Sequence, residues 1–278
     1  MRFLSMLFVL ATMISPSPAK DQFQAGDFVK RHLNSVGDDA ARSAVKNRMV
    51  QGPAVFRVVL GATPQSWNGE QTLVSEGDRL ASLLKFPSSV FRTEWFVRNG
   101  KKTSITPVRP GSWSVMGRFV MIHDEILKEG LWGGTLSTGW ALSRLDQSGA
   151  KLVDRGLKKM GESQLHRVDY VPKKGSDLEI QLFFDPESFR HVMTVYSLRV
   201  AGGLDPNSAP AATEGETRYQ LEEIFSDFKS VDNLTLPGRW TIQFSYGWPS
   251  FASINRYDVI EEKISHNVSI DPKSFDPK

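Results

Sequence analysis

His123, Asp124 and Glu125 stand side by side, an imidazole next to two carboxylates, the residue types that general acid and base catalysis uses. Consecutive residues on a helix diverge by about 100° around its axis, so on the helix expected here these three side chains point apart. The same wheel turns His123 toward Phe119 and Leu127, one turn away on either side, as a partly buried structural histidine. His166, His191 and His266 fall in or near strands without the H-x-H or H-x-x-x-H spacing that preorganises a metal, and each is expected at the surface. Gly130 to Gly134, Gly-Leu-Trp-Gly-Gly, has the glycines of a phosphate loop but lacks the following Lys and Ser/Thr. No G-x-S-x-G elbow occurs, and no serine is evidently paired with a histidine. The residue pattern therefore offers no catalytic residue, no cofactor site and no metal site. An enzyme, a hydrolase for example, would need an arrangement of residues distant in the sequence.

The elements point to a container or platform. From Asp177 to Ile264 apolar and polar residues alternate through five stretches separated by turn chemistry. The first sets Leu178, Ile180, Leu182 and Phe184 against Glu179 and Gln181 and stops at Asp185-Pro186. The second carries Val192, Thr194, Tyr196, Leu198 and Val200 on one face, so 178–200 is expected as an antiparallel hairpin. Tyr219 to Phe228 is a third, less regular stretch. Trp240, Ile242, Phe244 and Tyr246, alternating with Thr241, Gln243 and Ser245, form the fourth, and Ser253 to Ile264 the fifth. Upstream, a helix is expected over Asp21 to Val36, with Ala25, Val29, Leu33 and Val36 on one stripe. A short turn or two follow over Asp39 to Asn47. Extended runs then cover Arg48 to Gly61, Thr72 to Glu76, Arg79 to Phe86, Thr93 to Arg98 and Lys101 to Val108, with Asn99-Gly100 as a hairpin signal. A second helix is expected over Trp113 to Glu129, burying Val115, Phe119, Ile122 and Ile126 beside Met116, Val120 and Leu127. Gly130 to Leu142 is assigned as a loop plus a short helix, and Ala201 to Glu216 as a long flexible connection.

The 278 residues, 40% hydrophobic and 23% charged, suffice for one sizeable core. A net charge of +3, spread among acidic residues, argues against nucleic acid, which needs concentrated positive charge. Arg2 precedes an apolar run from Phe3 to Ile14, and Ser17-Pro18-Ala19 supplies small residues for a signal peptidase. Residues 1–19 are thus expected as a signal peptide cleaved after Ala19, leaving 20–278 as a single domain that is periplasmic or secreted. The apolar run is shorter than the ~20 residues of a bilayer span, so no permanent membrane span is expected. With no cysteine, neither a disulfide, a thiolate zinc site nor a lipoprotein anchor is possible.

Residues 178–189, Leu-Glu-Ile-Gln-Leu-Phe-Phe-Asp-Pro-Glu-Ser-Phe, followed by 225–237, Phe-Ser-Asp-Phe-Lys-Ser-Val-Asp-Asn-Leu-Thr-Leu-Pro, resemble the lipoprotein-sorting superfamily of LolA-type carriers. The signal sequence, first helix, glycine-terminated turn, strand with Gly52 and the Arg98-Asn99-Gly100-Lys101 turn are compatible, although Asn99 stands where such proteins often have Asp. The resemblance implies a mainly β, α+β fold: a curved antiparallel sheet forming an incomplete barrel, its concave apolar face lidded by helices. Carriers of that superfamily hold acyl chains, and related sensors detect lipid or lipoprotein. The resemblance accordingly implies an exported, non-enzymatic binding or carrier protein for lipid, an acyl chain or a lipidated partner. A module that docks an envelope protein on the same fold is the alternative. Leu178, Ile180, Leu182, Phe184, Trp240, Ile242, Phe244 and Tyr246 are the residues expected to line an apolar cavity, or else to pack as an ordinary core.

Overall fold

The computed structural model describes residues 23–60, 65–87, 93–107, 113–201 and 215–276. The expected signal peptide, and all but the ends of the expected 201–216 connection, lie outside the described residues. A first meander contains β1 (Asn47–Leu60), β2 (Gln65–Glu76), β3 (Arg79–Lys85), β4 (Glu94–Asn99) and β5 (Lys102–Pro107). A second contains β6 (Lys151–Met160), β7 (Ser163–Val171), β8 (Glu179–Phe184), β9 (His191–Val200) and β10 (Thr217–Ser226). After the small hairpin β11 (Lys229–Val231) and β12 (Leu234–Leu236) come β13 (Arg239–Trp248), β14 (Phe251–Ile260) and β15 (Lys263–His266). Across the large sheet the order is β5-β4-β3-β2-β1-β14-β13-β10-β9-β8-β7-β6, with antiparallel pairing throughout. β14 joins the two meanders by lying against β1. β5 and β6 end the sheet without pairing to each other, so it is an open half-barrel rather than a closed one.

β1 serves two partners in succession, β15 over Arg48 to Gln51 and β14 over Ala54 to Leu60. Gly52 sits at the exchange, where a Cβ would come 1.7 Å from the carbonyl oxygen of Ile260, so the crossing needs a residue without a side chain. The β6–β7 hairpin has no counterpart among the strands expected from residue alternation. β6 is an edge strand, exposed along nearly its whole length, so no alternation of apolar residues marks it. Its lysines and the bulge between Asp154 and Gly156 are the devices that discourage edge-to-edge aggregation.

The helices depart from expectation in phase. α1 (Ala25–Val36) buries Phe28, Val29 and His32 rather than the Ala25 and Leu33 stripe. α2 (Asp39–Ala44) is capped by Asp38, whose carboxylate accepts from the Ala41 N–H at 2.7 Å. The single helix expected over Trp113 to Glu129 is two: α3 (Val115–Ile122), capped by Ser114, and α4 (Glu125–Lys128). His123 between them takes φ −103° and ψ 59°, which resets the angular phase. Val115 and Ile122, expected in the core, are exposed because α3 turns Met116, Phe119 and Val120 inward. The same break brings His123 Nδ1 to 3.7 Å from Glu125 Oε1, so these side chains converge rather than diverge. Glu125 also accepts from the Ser176 hydroxyl at 2.6 Å. A last short helix, α5 (Leu145–Ser148), precedes β6.

One continuous core lies between the inner sheet face and the helices. Two smaller clusters occupy the outer face. Phe275, near the C-terminus, packs on Val74, Ala81 and Val97, and Phe183, Met193 and Val195 form the other. No helix among the described residues is long and apolar enough to cross a membrane.

Candidate ligand-binding site

Strand register gathers the eight expected lining residues into one patch. Ile180, Tyr196, Leu221 and Phe244 form one row across β8, β9, β10 and β13. Leu182, Thr194, Glu223 and Ile242 form the next, with Phe225 opposite Trp240 beyond it. Leu178, Ile180, Leu182, Phe184, Trp240, Ile242 and Phe244 are all buried, and Tyr246 is half-buried. Aromatic side chains cover them. Phe119 of α3 lies 5.2 Å from Phe244, Phe28 of α1 meets Phe184 edge-on at 4.9 Å, and Trp132 meets Trp240 edge-on at 5.5 Å. Seven of the eight thus form packed core beneath the helices and the segment that follows them.

That segment, Leu131 to Leu142, is an irregular plug. Leu131, Trp132 and Leu136 are fully buried, and Trp132 stacks on Phe96 at 4.8 Å. Gly133 and Gly134 hold φ of 76° and 51°, a region that side chains resist. Because the plug is largely without regular structure, side chains of other elements satisfy its backbone. Arg48 donates to the carbonyls of Thr135 at 2.6 Å and Leu136 at 3.2 Å. Ser75 Oγ accepts from the Thr138 N–H at 3.0 Å. Glu223 accepts from the Gly133 N–H at 2.7 Å and from the Tyr196 hydroxyl at 2.9 Å.

Trp140 donates its indole N–H to His32 Nε2 at 2.9 Å. That nitrogen must be the acceptor, so His32 carries its proton on Nδ1 and donates to the Phe189 carbonyl at 2.9 Å. Burial lowers the His32 pKa to about 4. His191 stacks on Trp140 at 4.7 Å, bonds Thr194 Oγ1 through Nε2 at 2.9 Å, and is also held below its ordinary pKa by burial. It is fully buried, contrary to the surface position expected for it. His266 is half-buried, its side chain held between Asp232 at 2.7 Å and Arg48 at 2.9 Å. His166 remains on the β6–β7 hairpin, paired with Asp154.

Sequence reasoning missed the buried carboxylates. Glu223 sits in the inward phase of Tyr219, Leu221 and Phe225, a position where the alternation calls for an apolar residue. Burial raises its pKa to about 7. Glu94 is likewise raised to about 7 by burial, although the Ser114 hydroxyl and N–H both donate to it. Glu261 is raised to about 8 by burial, and its carboxylate has no hydrogen-bond partner among the described residues. Glu223, His32 and His191 are shut away from solvent, and Glu223 and His32 bond the plug directly. Among the described residues no three His, Cys, Asp or Glu side chains gather as metal ligands.

The patch opens at one margin. A groove of about 850 Å³, within the range of small-molecule sites, crosses β6 to β10 and reaches the β13–β14 hairpin; most of its lining, such as Glu179, Gln181, Phe183, Val195 and Glu222, belongs to the outer face of the sheet. An aromatic series runs from the core to its margin at the β13–β14 hairpin. Phe244 is followed by Tyr246 at 5.9 Å, Tyr246 by Phe251 at 5.8 Å, and Phe251 stacks on Trp248 at 4.5 Å. Tyr246, Trp248, Phe251 and Leu198 are half-buried there, beside Arg199, Arg218 and Glu216. Of the eight expected lining residues only Tyr246 reaches this groove.

No family model matches the chain, and no curated protein matches it. Its open antiparallel half-barrel is similar to solved structures. One is a DUF1329 family protein from Desulfovibrio piger, 10% identical, covering 91% of this chain and 97% of that one, with a TM-score of 0.46. Another is an outer membrane lipoprotein-sorting protein domain from Vibrio parahaemolyticus, 8% identical, with 91% and 97% covered and a TM-score of 0.47. A third is a LolA superfamily protein from Nitrosomonas europaea, 9% identical, with 92% and 98% covered and a TM-score of 0.46.

Proposed function

We propose that this protein is an exported, non-enzymatic binding or carrier protein of the cell envelope, and that an acyl chain or a lipidated partner docks in the groove at Tyr246, Trp248 and Phe251. The observation that carries this reading is the aromatic series running without interruption from the packed core to the margin of an open groove at the β13–β14 hairpin. A chain lying there continues the apolar surface of the core, while Arg199 at the margin suits an acidic or polar head. The packed patch around Ile242 is the foundation of the site, and the groove is its receiving surface.

The full mature chain is expected to bind a long-chain fatty acid or an apolar dye saturably. Trp248→Asp should weaken that binding by about tenfold or more, since a carboxylate on the apolar wall must be desolvated by the ligand. Because Trp248 is half-buried at a strand end, the melting temperature should change little. Absence of saturable binding by the parent protein, or equal binding by Trp248→Asp, sinks the reading. Export is tested separately by intact-mass analysis of the envelope fraction, where the chain is expected to begin at Lys20. A retained Met1 would contradict cleavage after Ala19.

A further inference from the structure

A second cavity, of about 510 Å³, lies away from the groove, where the β2–β3 and β4–β5 turns meet α4, α5 and the β7–β8 connection. Its walls carry Arg98, Lys101, Lys128, Arg144 and Lys174 against only Asp78 and Glu129. Lys128 is already matched by Asp124 at 2.6 Å, and Glu129 accepts from the Tyr170 hydroxyl at 2.7 Å. Among the described residues, Arg98, Lys101, Arg144 and Lys174 have no carboxylate at ion-pair distance. Four cations therefore face two carboxylates, an excess of two positive charges.

Arg98 is the decisive residue. It occupies the inward phase of β4, two residues from Phe96, and is only 8% exposed. Its single hydrogen bond among the described residues runs from Nε to the Gly100 carbonyl at 3.2 Å, so the outer nitrogens of the guanidinium, Nη1 of which lies beside Gly130, have no acceptor there. A nearly buried cation without an ion-pair partner is costly, and an anion that accepts its remaining N–H groups offsets that cost. Burial, with Arg144 beside it, holds the Arg98 pKa below the ordinary guanidinium value, as expected where the counter-charge is insufficient.

We propose that this cavity binds a phosphate monoester group, Arg98 and Arg144 supplying forked N–H donors and Lys101 and Lys174 compact positive charges. A phosphate monoester carries about −1.5 to −2 at neutral pH, which matches the excess charge of the walls. Planar guanidinium groups suit its oxygens, and the lysines add attraction without fixed geometry. The group comes from a phosphorylated soluble molecule or from a phosphomonoester lipid head, as in phosphatidic acid. The site stands independently of the groove.

Titration calorimetry with inorganic phosphate on the full mature chain tests it. Saturable binding that weakens as salt rises is expected. Arg144→Gln with Lys101→Gln should weaken it about tenfold or more, and Arg98→Lys, which keeps the charge but loses the fork, should also weaken it. Lys30→Gln with Lys263→Gln, the same charge change at exposed positions outside the cavity, should leave it unaltered. Vesicles of phosphatidylcholine with phosphatidic acid separate the sources. Vesicle binding that free phosphate competes away assigns the site to a lipid head, and phosphate binding without vesicle binding assigns it to a soluble ligand. The proposal is overturned if the parent binds no phosphate at about 10 mM, or if the control pair weakens binding as much as the cavity variants.

Discussion

Trp132→Ala is expected to lower the unfolding free energy by about 3–5 kcal/mol, the usual cost of removing a large buried aromatic. Trp132 is fully buried, stacks on Phe96 and meets Trp240 edge-on, so its loss empties space between the plug and the sheet. The plug is held there by hydrogen bonds to Arg48, Ser75, Glu223 and His32, which limits its collapse into the void. The variant should therefore remain folded at low temperature and gain an internal site for a small apolar probe. Urea denaturation measures the first effect, and dye binding at a temperature where the variant is folded measures the second. A loss below about 1 kcal/mol would show that the plug is not packed as described.

Glu223→Gln is expected to stabilise the protein above neutral pH by as much as roughly 3 kcal/mol, the equivalent of moving a carboxyl pKa from 4.5 to about 7. Burial is the cause. Below pH 4.5 the group is protonated in both folded and unfolded chains, so it costs nothing there. Between 4.5 and about 7 the folded chain retains a proton that the unfolded chain has released, and stability falls as pH rises; above 7 the full cost is present. The amide keeps the size of the side chain and can still accept from the Gly133 N–H. His32 acts in the opposite sense. Its folded pKa of about 4 lies below 6.5, so its contribution is present above 6.5 and is lost as pH falls toward 4. Removing the Glu223 contribution should accordingly move the pH of maximum stability upward. Thermal melts from pH 4 to 9 measure it, and an unchanged gap between variant and parent across that range would refute the assignment.

Much of the sheet was legible because one face of each strand must be buried. Leu178, Ile180 and Leu182, and Trp240, Ile242 and Phe244, alternate with polar residues, and each set lies on the inner face as expected. The Asn99-Gly100 turn was also legible, because glycine there takes φ of 61° at the β4–β5 connection. The β6–β7 hairpin was not. Its edge strand buries almost nothing, so its residues carry no periodic requirement. The break at His123 was hidden for a related reason, since the apolar spacing of residues 115–127 fits a continuous helix and its interruption depends on surrounding contacts. Asp124 bonds Thr103 of β5, and Glu125 bonds Ser176 before β8.

By itself, the sequence determined which faces of the inner strands are apolar, where turns such as Asn99-Gly100 and Asp185-Pro186 lie and that no thiol chemistry is possible, because these depend on residue type and local spacing. Only the tertiary structure decided what covers the apolar face. Gly130 to Leu142 has no period of its own, and its place inside the half-barrel depends on partners as far apart in the chain as His32, Arg48, Ser75 and Glu223. The same holds for the groove and the cationic cavity. Tyr246 and Trp248 meet Phe251 across a β-hairpin, whereas Arg98, Arg144 and Lys174 come from three separate elements. Individually these cations are ordinary surface chemistry; the burial of Arg98 and the scarcity of nearby carboxylates, both consequences of packing, are what single the cavity out.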